Sequence, residues 1–210
     1  MAAGQNVFLY VPNIIGYSRL VLLGCSCYYI LDSYRLGLLL YIISAGLDAF
    51  DGLAARLLNQ SSKFGSMLDM ITDRISTMCL LMTLARLYGE HFFVLQLLLV
   101  IDIVSHWLHF FSATMQGKES HKTSDEQTNT LMRLYYGNRY ILTSVCAMEQ
   151  IFYCLFVIFY FEHESIGDQL LRLILVCFPA TVLKNYINIL QIRNACSAIA
   201  RADEQRAHGQ

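Results

Sequence analysis

The sequence predicts an all-α integral membrane protein with six transmembrane helices. Three observations predict it. Apolar residues make up 56% of the 210 positions and charged residues only 15%, against roughly 25% charged in an ordinary globular domain. Six stretches approach the ~20 mostly apolar residues that a helix needs to cross a bilayer. Lysine and arginine are shared unequally between the connections. A net charge of −1 with no basic stripe gives no footing for a nucleic-acid partner.

The first span covers 13–31 and is interrupted by Arg19. The second, 36–57, carries Asp48 and Asp51 in its later half; the third, 65–88, carries Asp69 and Asp73 in its early half. The fourth, fifth and sixth cover 92–112, 140–161 and 168–192, with Pro179 expected to kink the last. The connections 32–35, 86–91 and 162–167 are short, 113–139 reads as one long polar loop, and the polar tail 193–210 is expected to fray. The expected organisation is a membrane domain over 1–192 and a cytosolic tail over 193–210. Residues 1–9 carry no positive n-region, so no cleavable signal peptide is expected. Seven cysteines without a Cys-x-x-Cys pair read as small buried hydrophobes.

With six spans, the N-terminus, the 57–64 turn, the 113–139 loop and the tail fall on one side. Arg56, Lys63, Lys118, Lys122, Arg133, Arg139, Arg193, Arg201 and Arg206 lie on or near that side, and only Arg35, Arg86 and Arg172 on the other. The bias puts both termini in the cytosol. The mouth of a hairpin made by the second and third spans then opens to the cytosol too.

Four carboxylates in that hairpin are the costly feature. Asp48 and Asp51 are i,i+3, and Asp69 and Asp73 are i,i+4, so each pair shares a helix face. Counted from the turn, the two pairs reach matched depth, about 12–20 Å in at 1.5 Å per residue. Four acids gathered there need protons or cations to neutralise them. Oxygen-only donors select hard ions, Mg2+ or Mn2+ rather than zinc, and four negative charges match two of them. Two such ions form a clamp for phosphoryl transfer. Gly52, Ala55 and Gly65 leave room for close helix approach or for a ligand against backbone. Arg56 offers a phosphate-binding fork or simply snorkels to the interface. Ser62 in the turn offers a hydroxyl.

Asp48-x2-Asp51-Gly52-x2-Ala55-Arg56-x8-Gly65-x3-Asp69-x3-Asp73 resembles the full signature of the CDP-alcohol phosphatidyltransferase family, with all eight fixed positions at the family spacing. The flanks resemble the eukaryotic, inositol-using branch: Val11-Pro12-Asn13 through Arg19, Ser105-His106-Trp107-Leu108-His109, Ser120-His121-Lys122, and Arg133 through Arg139. The resemblance implies transfer of a phosphatidyl group from CDP-diacylglycerol to myo-inositol with release of CMP, assisted by two Mg2+ or Mn2+ ions. It implies Asp48, Asp51, Asp69 and Asp73 as metal ligands, with Asp73 also the base for the inositol proton. It implies Gly52, Arg56 and Ser62 as CDP-diacylglycerol contacts, a homodimer, and an endoplasmic reticulum membrane.

Outside the signature, Asp102, His106 and His109 share one face of the fourth span. They are candidates for an inositol pocket, an interhelical polar network or a second metal site. Arg133 and Arg139 are candidates for the inositol pocket or a charged membrane flank. Glu149, Lys184, Asn185 and Asn188 are polar groups inside spans, read as helix–helix hydrogen bonders. Two alternatives remain. Another acceptor alcohol, glycerol 3-phosphate or serine, would use the same signature. A divalent-cation transporter would use the aspartates but need neither nucleotide nor Arg56.

Overall fold

The structure is a computed structural model that describes residues 6–115 and 130–208. Every regular element among them is helical. In chain order these are α1 (Val11–Tyr29), α2 (Tyr34–Leu57), α3 (Lys63–Leu87), α4 (Phe92–Met115), α5 (Thr130–Gly137) and α6 (Arg139–His208), with short 3-10 turns at Val7–Leu9 and Gly89–His91. The expected stretch Ser120-His121-Lys122 lies outside the described residues, as does the side chain of Arg139.

Three stretches are long and apolar enough to cross a membrane: Tyr34–Leu57, Gly89–Met115 and Tyr140–Gln205. The last contains a break at Ile166, whose φ of −133° and ψ of 22° are non-helical, so α6 is two arms rather than one rod. The expected kink at Pro179 is not where the backbone departs from helix. Its missing N–H removes one internal hydrogen bond, but φ and ψ stay helical on either side of it. Two further expectations need correcting. The 113–139 stretch is not all loop, because α5 forms within it. The polar stretch past 192 is not an irregular tail where it is described; α6 runs on to His208, and Asn194 donates to the Met132 sulfur on α5.

Large apolar side chains point outward. Val21, Tyr28, Ile42, Phe50, Phe93, Leu175 and Val176 are exposed, while Asn13, Arg19, Ser26, Ser44, Asp51 and Asp102 are buried. An apolar exterior over a core that mixes apolar and polar side chains is that of a protein solvated by lipid. It makes the chain an all-α membrane protein.

The contacts form two compact units, one reaching to Phe92 and one starting at Phe93. In the first, α1 is the central helix. Its buried face reads Asn13, Gly16, Arg19, Leu23, Ser26, a 3-3-4-3 spacing that makes a single stripe. Small residues on and against that stripe let the helices close in. A Cβ on Gly37 would sit 2.5 Å from the Ile30 Cα, and one on Gly16 would sit 2.9 Å from a Leu68 methyl. Ser26 donates to the Gly37 carbonyl at 2.7 Å and Ser44 to the Arg19 carbonyl at 3.1 Å, tying α1 to α2. α2 and α3 are joined by a short turn yet touch little directly; α1 packs along both. The acidic helices therefore form a hairpin wedged open by α1 rather than two packed neighbours, because Arg19 and the α1 stripe fill the space between them.

The turn itself is specified locally. Asn59 adopts φ 52°, the left-handed conformation that asparagine tolerates best after glycine. Gln60 N–H donates to the Ala55 carbonyl at 3.0 Å and Asn59 N–H to the Arg56 carbonyl at 3.4 Å, the pair of hydrogen bonds that closes a helix C-terminus. Ser62 then caps α3, its Oγ accepting from Gly65 N–H at 2.9 Å. The Gln60 side chain accepts from Val11 N–H at 2.9 Å, so one turn stops α2, starts α3 and holds the first residue of α1.

In the second unit, Leu155 packs with Leu170, Ile174 and Cys177, which folds the two arms of α6 against each other. Tyr135 with Val145 and Ile187 seats α5 on both arms. The Asn188 amide donates to Asp102 at 3.2 Å and His109 stacks on Tyr136, linking α4 to α6 and α5.

Candidate active site

α2 presents Asp48 and Asp51, and α3 presents Asp69 and Asp73. All four carboxylates converge on one internal cation. Arg19 Nη1 lies 2.7 Å from Asp48, 2.8 Å from Asp51 and 3.1 Å from Asp69, and Nη2 lies 2.8 Å from Asp73. The Arg19 side chain is 3% exposed and that of Asp51 10%, whereas Asp48, Asp69 and Asp73 keep 45%, 50% and 40%. The cluster is sealed at its α1 side and accessible on the other.

One oxygen each from Asp48, Asp51 and Asp69 lie within 4.8 Å of one another. Asp73 meets the other arm of the same guanidinium. The donor set suits a hard divalent ion: it is all oxygen, and the three oxygens are gathered within 4.8 Å of one another. The charge also fits. Four carboxylates outnumber the arginines beside them, Arg19 at the centre and Arg74 near Asp73, so negative charge is left over.

Beside the cluster is a cleft of about 200 Å³ lined by Asn13, Asp51, Gly52, Arg56, Ser62 and Asp69, among others. A Cβ on Gly52 would meet nothing nearer than Arg56 Nη1 at 3.6 Å. Gly52 therefore does not serve close helix packing; its missing side chain leaves space in the cleft. Gly65 is different. A Cβ there would come within 2.8 Å of Asn13 Oδ1, so Gly65 allows α1, not α2, to approach α3. Arg56 is exposed at the cleft rim. Ser62 lines the cleft while its oxygen is engaged as the α3 cap.

Asp102 and His106 are together in the second unit. His106 Nδ1 lies 3.7 Å from Asp102 Oδ1 and 2.8 Å from its own helix's Asp102 carbonyl oxygen. Asp102 also accepts from Asn188, whose Oδ1 accepts from Lys184 at 2.7 Å. Glu149 accepts from Tyr153 and Asn185, each at 3.3 Å. These polar groups form an interhelical network. Arg133 is exposed on α5 and is not brought into it.

The residue that sequence reasoning passed over is Arg19, which it treated as an interruption. A signal existed. An arginine in mid-span faces the protein interior and pairs with acid, and Arg19 lies about 12 Å along α1, a depth matching that of the aspartates.

An all-α membrane protein with four acids gathered on a buried arginine and an adjoining cleft is the class the structure defines. The comparisons make it specific. The family model for CDP-alcohol phosphatidyltransferase matches residues 9–161, and the chain belongs to that family. It is 43% identical over 202 residues to the CDP-diacylglycerol–inositol 3-phosphatidyltransferase of Homo sapiens, covering 95% of each chain. It is 37% identical over 221 residues to the protein of that name from Schizosaccharomyces pombe, covering 96% of this chain and 93% of the other. The probable CDP-diacylglycerol–inositol 3-phosphatidyltransferase 2 of Arabidopsis thaliana is 38% identical over 218 residues, covering 98% and 96%. No solved structure matches the chain.

Proposed function

We propose that the chain transfers the phosphatidyl group of CDP-diacylglycerol to myo-inositol, giving phosphatidylinositol and CMP. The observation that carries the chemistry is the convergence of four carboxylates beside a cleft whose rim bears Arg56. The near full-length similarity to proteins named for the inositol reaction supports the acceptor.

Asp48, Asp51 and Asp69 would hold Mg2+ or Mn2+ through their clustered oxygens, with Asp73 completing a set for two ions. When bound, the ions supply positive charge to the diphosphate and to the departing CMP. Arg56 at the rim meets a phosphate oxygen with its fork of donors. The space at Gly52 lets the nucleotide lie close to the α2 backbone, and the Ser62 hydroxyl remains able to donate to it. Asp73, paired with the other arm of the guanidinium, accepts the proton of the attacking inositol hydroxyl. That hydroxyl forms the new P–O bond as the bond to CMP breaks. Asp102 and His106, with Arg133 and Arg139, are the proposed inositol-side residues.

The proposal extends to six spans, counting α1, α2, α3, α4 and the two arms of α6. It places both termini and the cleft on the cytosolic face of the endoplasmic reticulum, in a homodimer. The lysine and arginine distribution supports that orientation, and protease access to a C-terminal tag in sealed microsomes tests it. The acceptor is tested by supplying the purified chain with CDP-diacylglycerol and radiolabelled inositol, glycerol 3-phosphate or serine. Label from inositol alone should enter lipid. Label from glycerol 3-phosphate without inositol would overturn the assignment.

A further inference from the structure

The Arg19 guanidinium sits where a cation bound by the trio would sit. Nη1 is within 3.1 Å of an oxygen from each of Asp48, Asp51 and Asp69, the same three residues whose oxygens cluster within 4.8 Å. A divalent ion held at about 2.1 Å from those oxygens and a nitrogen at its present distances cannot share that space.

The seating also lacks the marks of a finished structural ion pair. Nη1 has two hydrogens for three carboxylates. Nε is buried with no hydrogen-bond partner among the described residues. A guanidinium built permanently into a buried network would have its donors matched one to one, since an unmatched buried donor is destabilising by about 1–3 kcal/mol. Arg19 instead supplies positive charge at the centre of the acids. The backbone beneath it is fixed independently: its carbonyl accepts from Ser44, and α1 is held by Gly16 against Leu68 and by Gly37 against Ile30.

We infer that Arg19 and a divalent cation are alternative occupants of the aspartate cluster, with Arg19 a built-in counter-ion that keeps the acidic helices together until metal displaces it. This rests on the reading of the aspartates as the metal site. It makes Arg19 a positioning residue: it gathers the ligands in the empty state and sets a threshold of metal concentration below which the site stays closed to the diphosphate. By linkage, the stabilisation that Arg19 gives must be present without metal and absent with metal saturating.

The test uses the full chain in lipid nanodiscs without substrate. Mn2+ affinity is measured by titration, and thermal midpoints are measured in chelator and at saturating Mn2+, for the natural chain and for Arg19→Gln. Arg19→Gln should bind Mn2+ about tenfold more tightly or better. Its midpoint should fall below the natural one in chelator and rejoin it in Mn2+. Equal or weaker Mn2+ binding, or the same loss of midpoint with and without Mn2+, would overturn the inference while leaving the metal site standing. Failure of both chains to bind Mn2+ would overturn both readings. If the variant does not fold, the natural chain with 15N-labelled arginine answers the question. One protected guanidinium signal in chelator should shift and lose protection on adding Mg2+, and arginine signals unmoved at saturating Mg2+ would overturn the proposal.

Discussion

At the scale of single residues, the site divides its four aspartates by position. Asp48, Asp51 and Asp69 share one guanidinium nitrogen and Asp73 takes the other, a split that the i,i+3 and i,i+4 spacings do not show. Asp73→Asn keeps the shape and an oxygen donor but removes the proposed base. It should lower turnover about 10²–10⁴-fold while CDP-diacylglycerol binding persists; near-natural turnover in the purified variant would remove Asp73 from that role. The aspartates were legible because charge in an apolar helix is expensive wherever it stands. Arg19 was legible only in principle. Its partners lie 29 to 54 residues away on two other helices, and no local spacing connects them. The same holds for Ser62, whose sequence position suggests a ligand contact but whose oxygen first serves the α3 N-terminus.

At the scale of elements, hydropathy placed α1 to α4 to within about a turn, because a lipid-facing helix needs an apolar exterior all along its length. It missed α5, a short helix in which Thr130–Gly137 mixes apolar and polar residues and whose burial depends on α6. It missed the helical tail for a similar reason: polar side chains do not prevent a helix from continuing past a span. The packing partner of the acidic helices was also hidden. A short turn implies neighbours, but small residues on the two sides of α1 make that helix the one both α2 and α3 meet. Gly37 is the sharpest case. Because a Cβ there would meet the Ile30 backbone at 2.5 Å, which cannot rotate away, Gly37→Ala should destabilise the chain by about 1–3 kcal/mol, whereas Gly46→Ala, with open space around it, should not. Thermal midpoints of the two variants in one detergent check this; equal midpoints would mean that α1 and α2 are not closely packed there.

At the scale of the whole molecule, two compact units divide the labour. The first holds the acids, their internal counter-ion and the cleft. The second holds a buried network through Asp102, Asn188 and Lys184, and another through Glu149, Tyr153 and Asn185. Membrane class, the signature and the acids were legible in the sequence because each is a local pattern. The buried pairing of Asp102 with Asn188 was not, because its partners lie on different helices, with no spacing of their own. The central claim is that the aspartate cluster, when it holds divalent cations, performs the transfer. Its most direct test is to strip the purified chain of metal in nanodiscs and add Mn2+ stepwise with CDP-diacylglycerol and inositol present, following bound Mn2+ and phosphatidylinositol formed in the same samples. Turnover should be absent in chelator and rise in step with Mn2+ bound to the natural chain, and Asp51→Asn should lose both together. Full turnover in chelator, or natural turnover by Asp51→Asn, would contradict the account.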